Sequence, residues 1–176
     1  MASTDGRAAS ERVSRTERLA RQLQAEANIT DRHLARIPAE QWTWRPHARS
    51  STMGQLASHL VDCVRFTTSI FREDRTELQL AHWRPYRADG PDAVRHDFAD
   101  AVQEACAAMR SHPDCEATEP WEMAVDGIVR IRRDRESAFA DMTLHHLVHH
   151  RAQLSVYLRL LDVPVPPTYG PTADER

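Results

Sequence analysis

Apolar residues recur along this chain at steps of three and four, the spacing that gathers side chains on one face of an α-helix. Leu19, Leu23, Ala27, Thr30, Leu34 and Ile37 form the first stripe and predict a helix from Glu11 to Ile37. Pro38 ends it, because proline lacks the amide that a further turn needs. A loop punctuated by Pro46 follows, with Trp42 and Trp44 placed to cover the end of the bundle. The second stripe is Met53, Leu56, Leu60, Cys63 or Val64, Thr67 and Ile70. Thr52 and Gln55 stand at the spacing of a capping box, in which hydroxyl and amide side chains satisfy two orphan backbone donors. This helix gives way after Phe71 to the charged run REDRTE.

A third helix is predicted to open at Pro91-Asp92, a favourable first-turn pair, and to close at Pro113, with Val94, Phe98, Ala101, Ala105 and Met109 as its stripe. Residues 113–136 carry no clear period; Asp126-Gly127 followed by Ile128, Val129 and Ile131 reads as a short strand or an extended loop. The fourth helix begins between Ser137 and Thr143 and runs to Leu161, before Pro164, Pro166 and Pro167 stop it. Four amphipathic helices with long connections predict an all-α four-helix bundle. Residues 1–9 read as a disordered leader and residues 10–176 as one domain.

Composition narrows the chemistry. The chain has 176 residues and a net charge of −3, so no basic field favours nucleic acid. All 23 basic residues are arginine, which removes lysine Schiff-base chemistry and the phosphate-binding lysine of a P-loop. Cys63, Cys106 and Cys115 are odd in number and widely spaced, against a disulfide framework and in keeping with a reducing cytoplasm. No apolar run is long enough for a membrane span. The nucleophile elbow GxSxG is absent.

The ten histidines change the picture. LHHLVHHRAQL holds two interleaved HxxxH pairs, His145 with His149 and His146 with His150, and residues four apart share a helix face. On a helical wheel, Leu147, Leu154, Leu158 and Leu161 mark the core. His150 lies about 60° from the centre of that stripe and His146 about 100°. The His146/His150 pair is therefore nearer the core, and His145/His149 read as surface or interface side chains. His59, three residues after Leu56, sits beside the stripe of the second helix and can supply a third imidazole. Three protein ligands with an open fourth position are the pattern of a catalytic zinc, and imidazole suits nickel equally. Around this set, Cys63 could approach the ion but reads rather as a buried inert thiol, and Asp62 reads as a surface carboxylate and a minor candidate for a further ligand. Arg151 reads equally as an anion binder or a partner of a carboxylate. Gln153 could orient a ligand ring, and Tyr157 could reach the pocket or pack in the core. The remaining histidines, His33, His47, His82, His96 and His112, read as solvated. The loops around His82 and Trp121 are expected to line the pocket mouth.

The segments IPAEQWTWRPH, MGQLASHL, HLVHHRAQL and PVPPTYGPTADE, in that order, resemble the DinB/YfiT-like family of metal-binding four-helix bundles. The resemblance runs from Ala35 to Glu175 and is weakest over residues 72–136. It implies metal ligands at His59, His146 and His150, one divalent ion per chain, zinc or nickel, and a homodimer. Ala152 stands where the family pattern usually has glycine. Characterised relatives include transferases and isomerases that use low-molecular-weight thiols such as mycothiol or bacillithiol. The resemblance thus favours a thiol S-transferase acting on a small-molecule substrate, with a metal-dependent hydrolase second. A non-catalytic metal- or ligand-binding stress module is the alternative of another class.

Overall fold

Helical rods carry most of the chain in the computed structural model, which describes residues 13–175. The expected leader over residues 1–9, and the first residues of the predicted opening helix, lie outside the described residues. Helix α1 spans Arg15–Leu34, and the Ser14 hydroxyl accepts the Glu17 amide at its start. Helix α2 spans Met53–Arg72 behind a complete Thr52–Gln55 capping box. Helix α3 spans Pro91–Ser111 with proline in its first turn. The fourth rod is built in three pieces. Helix α4 is Arg135–Phe139, a π-helical segment covers Ala140–His145, and helix α5 is His146–Leu160.

The rods form a closed ring of neighbours: α3 packs on α1 and α2, and α5 packs on α2 and α1. Their stripes meet in one core that includes Leu23, Leu34, Leu60, Phe98, Met109, Phe139, Leu147 and Leu154. Trp42 and Trp44 pack against it from the connection after α1. Gly54 makes that possible, because a Cβ there would collide with the Trp42 indole.

The expectation of a purely all-α bundle needs correction. Strands β1 (Arg75–Leu78), β2 (Pro120–Val125) and β3 (Ile128–Asp134) form a small sheet in the order β1-β2-β3. β1 runs parallel to β2, and β2 pairs antiparallel with β3. Asp126 and Gly127 make the hairpin turn with φ of 49° and 79°, as a two-residue turn with both central residues left-handed requires. The second half of the charged run after Phe71 is therefore a strand, while Arg72 ends α2. The buried Arg135 locks the sheet end to α2, donating to the carbonyls of Ile70 and Glu73 and to the Asp74 carboxylate. The fourth rod also begins earlier than the sequence predicts, at Arg135, where the Asp134 carboxylate accepts the Ser137 amide.

Two histidines are inside, not solvated. His33 is completely buried because it stands three residues after Thr30 on the inner stripe of α1, with Nδ1 on the Ile29 carbonyl at 2.9 Å. His112 is nearly so, its ring edge-on to Phe71 at 5.6 Å. His47, His82 and His96 are exposed. Trp121 is wholly buried on β2 against Phe66, so it belongs to the core and not to the mouth of a pocket. Among the described residues no helix is long and apolar enough to cross a membrane.

Candidate metal centre

Helices α2 and α5 bring three imidazoles together. His59, His146 and His150 each offer a ring nitrogen, and these nitrogens lie within 4.8 Å of one another. His59 Nε2 and His146 Nε2 are 3.4 Å apart. Two ligands of a tetrahedral zinc at about 2.05 Å are separated by about 3.3 Å, so this pair already stands near the span that one ion needs. The His150 ring centroid is 4.6 Å from that of His59 and 4.7 Å from that of His146. All three rings are half-buried.

The π-helical segment ends at His145, directly before the first of the α5 pair. Such wide turns occur often at functional sites, because they re-aim the residues that follow. Thr143 within it is pinned from α2, its hydroxyl 2.8 Å from that of Thr67 in a buried pair.

Partners on the outer ring nitrogens set the orientation. The His150 Nδ1–H donates to Gln153 Oε1 at 2.8 Å, which leaves Nε2 with a free lone pair. The Gln153 amide in turn donates to His149 Nε2 at 3.1 Å. Asp62 lies 3.9 Å from His59 Nδ1, beyond a hydrogen bond, and its carboxylate accepts the Tyr86 amide at 3.2 Å.

Burial favours the neutral form of His146 and His150. Burial holds His150 down at about 4, against the opposing Gln153 hydrogen bond, and repulsion from the protonated forms of His59 and His146 adds to it. Burial also lowers His146, with His59 next in effect. A neutral imidazole is the form that binds metal. Cys63, four residues after His59, is buried, and burial followed by the Asp62 charge pushes its thiol up to about 12. It stays protonated at neutral pH and is no nucleophile.

Two clefts meet at this cluster, and His59 and Trp83 line both. One, of about 340 Å³, is largely apolar, with Phe66, Leu78, Met123 and Met142 beside His146. The other, of about 540 Å³, is polar, with Ser50, Gln55, Arg87 and Gln153 beside His150. A second group with ligand-like spacing, His96, Asp97 and Asp100, lies on the outside of α3. Its members are engaged with one another and with the Tyr86 hydroxyl.

The profile of the DinB family matches residues 11–176. The chain belongs to the DinB family. A DinB-like protein from Bacillus cereus superposes with a TM-score of 0.66 at 17% identity, over 86% of this chain and 95% of that one. A DinB-like protein, YjoA, from Bacillus subtilis gives 0.64 at 13% identity, over 90% and 99%. At such identities the likeness speaks for the fold. No protein with a curated description matches the chain.

Other residues flagged in the sequence of this DinB-family chain fall in distinct places. His145 and His149 point outward and are exposed. Arg151 is buried away from the clefts, on Glu26. Tyr157 lines the polar cleft, its hydroxyl donating to the Ser51 carbonyl at 3.1 Å. Sequence reasoning missed Arg87, Leu78 and Met123, which come from the sheet and from the connection before α3. The Asp-Gly pair at the hairpin was the one available signal for that region.

Proposed function

We propose that the chain is a metal-dependent enzyme holding one divalent ion, zinc or nickel, on His59, His146 and His150, and that it transfers a low-molecular-weight thiol. One observation carries this reading: three imidazoles from two rods converge at ligand spacing, and burial favours the neutral form of two of them, His146 and His150. The donor set suits a borderline ion and leaves a position for an exogenous group. A divalent ion held there supplies Lewis acidity, which favours ionisation of a thiol at neutral pH.

The chain's own residues do the rest. Gln153 fixes the His150 ring, and the two clefts, which share His59 and Trp83, bring thiol and electrophile to the same point. The sulfur forms a bond to an electrophilic carbon. The leaving group departs with the electron pair of the broken bond, and the thiol proton goes to solvent. No protein nucleophile takes part, in keeping with the inert Cys63. Exposed Val156 and Leu160 on the outer face of α5 support pairing of two copies, checked by sedimentation of the wild type against Val156→Glu.

The test is elemental analysis followed by thiol consumption. Purified protein should carry about one equivalent of zinc or nickel per chain, and the loaded protein should consume a thiol in the presence of an electrophile. Full metal content in His146→Ala refutes the ligand set. Ester or amide cleavage without thiol consumption would assign hydrolysis instead, and metal without either reaction a binding module.

A further inference from the structure

The two clefts differ in charge as well as polarity, and the difference names a ligand. The polar cleft is lined by Ser50, Ser51, Gln55, Arg87, Gln153 and Tyr157 around His59 and His150, and no carboxylate lines it. Two of its donors are spent within the fold, the Tyr157 hydroxyl on the Ser51 carbonyl and the Gln153 amide on His149, which leaves the serines, Gln55 and Arg87. The Gln55 carbonyl oxygen is spent on the Thr52 amide, which leaves its NH2. Arg87 forms no ion pair among the described residues; it donates only to the carbonyl of its neighbour Tyr86, at 2.7 Å. The first amides of α2 are committed to Trp44, Trp42 and Thr52, so donation into the cleft falls to side chains. The field of that helix start adds to their positive potential. In a chain of net charge −3 this is a local choice. The apolar cleft contrasts on each point: it contains Asp62, and its Arg65 is stacked over the Tyr86 ring at 4.4 Å.

We propose that the polar cleft seats an anionic cosubstrate, a carboxylate-bearing thiol held by Arg87, with its sulfur directed to the three histidines. The proposal rests on the thiol-transfer reading and adds the charge of the cosubstrate. A planar guanidinium matches a carboxylate with two parallel N–H donors. The uncharged, hydrocarbon part of the electrophile then occupies the cleft of Phe66, Leu78 and Met123, so the two reactants are sorted by polarity.

The experiment compares 3-mercaptopropionate with its uncharged isostere 3-mercaptopropionamide, by calorimetric titration of the zinc-loaded full chain. Arg87 is exposed, so its ion pair is worth at most about 1 kcal/mol, or about fivefold. The affinity ratio of acid to amide should fall three- to fivefold in Arg87→Gln, with zinc content unchanged, and should hold in Arg65→Gln. A ratio unaltered by Arg87→Gln, or lowered equally by Arg65→Gln, overturns the proposal. Failure of the metal reading looks different: zinc is absent and both thiols bind weakly alike. The seat is then read on the metal-free chain, where glutarate should shift the side-chain NMR resonance of Arg87; no shift there also overturns it.

Discussion

His150 and Arg151 are neighbours on α5, and they end in opposite kinds of polar cluster. Arg151, 2% exposed, donates to the Glu26 carboxylate at 2.7 Å, to the Glu26 carbonyl, to Thr30 and to the Tyr169 hydroxyl at 2.7 Å. Tyr169 closes the circuit by donating to Glu26 at 2.8 Å. Both terminal nitrogens of the guanidinium meet acceptors, and the cluster ties α5 to α1 and to the C-terminal tail. In the histidine cluster on the other side, Gln153 holds the outer nitrogen of His150, and three inward ring nitrogens crowd within 4.8 Å of one another. Crowded acceptors repel one another until a cation or a proton enters. A closed network of this kind holds a fold together, and an open one stores a binding site.

The largest effect is expected on the closed side. Arg151→Met leaves the partly buried Glu26 carboxylate without its counter-charge, which should cost about 3 kcal/mol in urea unfolding, the lower end for a broken buried pair. Its metal content should stay at that of the wild type. Metal loss with stability intact would show that the two clusters are not separate devices. On the open side the pattern reverses. His146→Ala removes one of three ligands and should weaken zinc more than about a hundredfold, or about 2.7 kcal/mol, in a competition titration. Stability of the metal-free variant should move by less than about 1 kcal/mol, since only a half-buried ring is lost.

The same contrast explains what could be read in the sequence. Stripes such as Leu19, Leu23 and Ala27 settle the long helices because burial along a rod repeats for many turns. The Thr52–Gln55 cap is a local chemical pattern and reads equally well. The His146/His150 face was legible because both residues lie within the regular α5, beyond the π-helical segment that would have upset a wheel drawn across it. The sheet was not legible. β1 is four residues, RTEL, and β3 is mostly exposed and arginine-rich, so neither shows the alternation of a half-buried strand. The closed cluster was half legible: Arg151 advertised a partner, but Glu26 lies 125 positions away, and only the fold joins them. His33 was misjudged because its charged neighbours Arg32 and Arg36 outweighed its place on the stripe.

A smaller effect sharpens the open side further. Gln153 touches no reactant, but it holds the His150 Nδ1–H and so sets the tautomer. Gln153→Ala should weaken zinc about tenfold, the lower end for such supporting partners. Gln153→Glu should restore or exceed wild-type affinity, because a carboxylate accepts the same proton more strongly. A variant that merely loosened the helix would not be rescued by that change.

The smallest expected effect is the acid response of the metal-free chain. His150 titrates at about 4 in the fold against 6.5 for an ordinary histidine, chiefly because burial disfavours its charged form. The unfolded chain therefore binds a proton that the folded chain refuses, and stability falls as pH is lowered from about 6.5 towards 4, levelling below that. The full shift would correspond to about 3 kcal/mol; with a ring that solvent still reaches, about 1 kcal/mol is expected. Urea unfolding at pH 7 and pH 4.5 checks it, with His150→Gln flattening part of the slope. Saturating zinc should steepen the loss instead, since protons then compete with the cation for the same lone pair. The closed cluster gives no such response to zinc, so a zinc-steepened slope that survives His150→Gln would locate the cation away from these three rings.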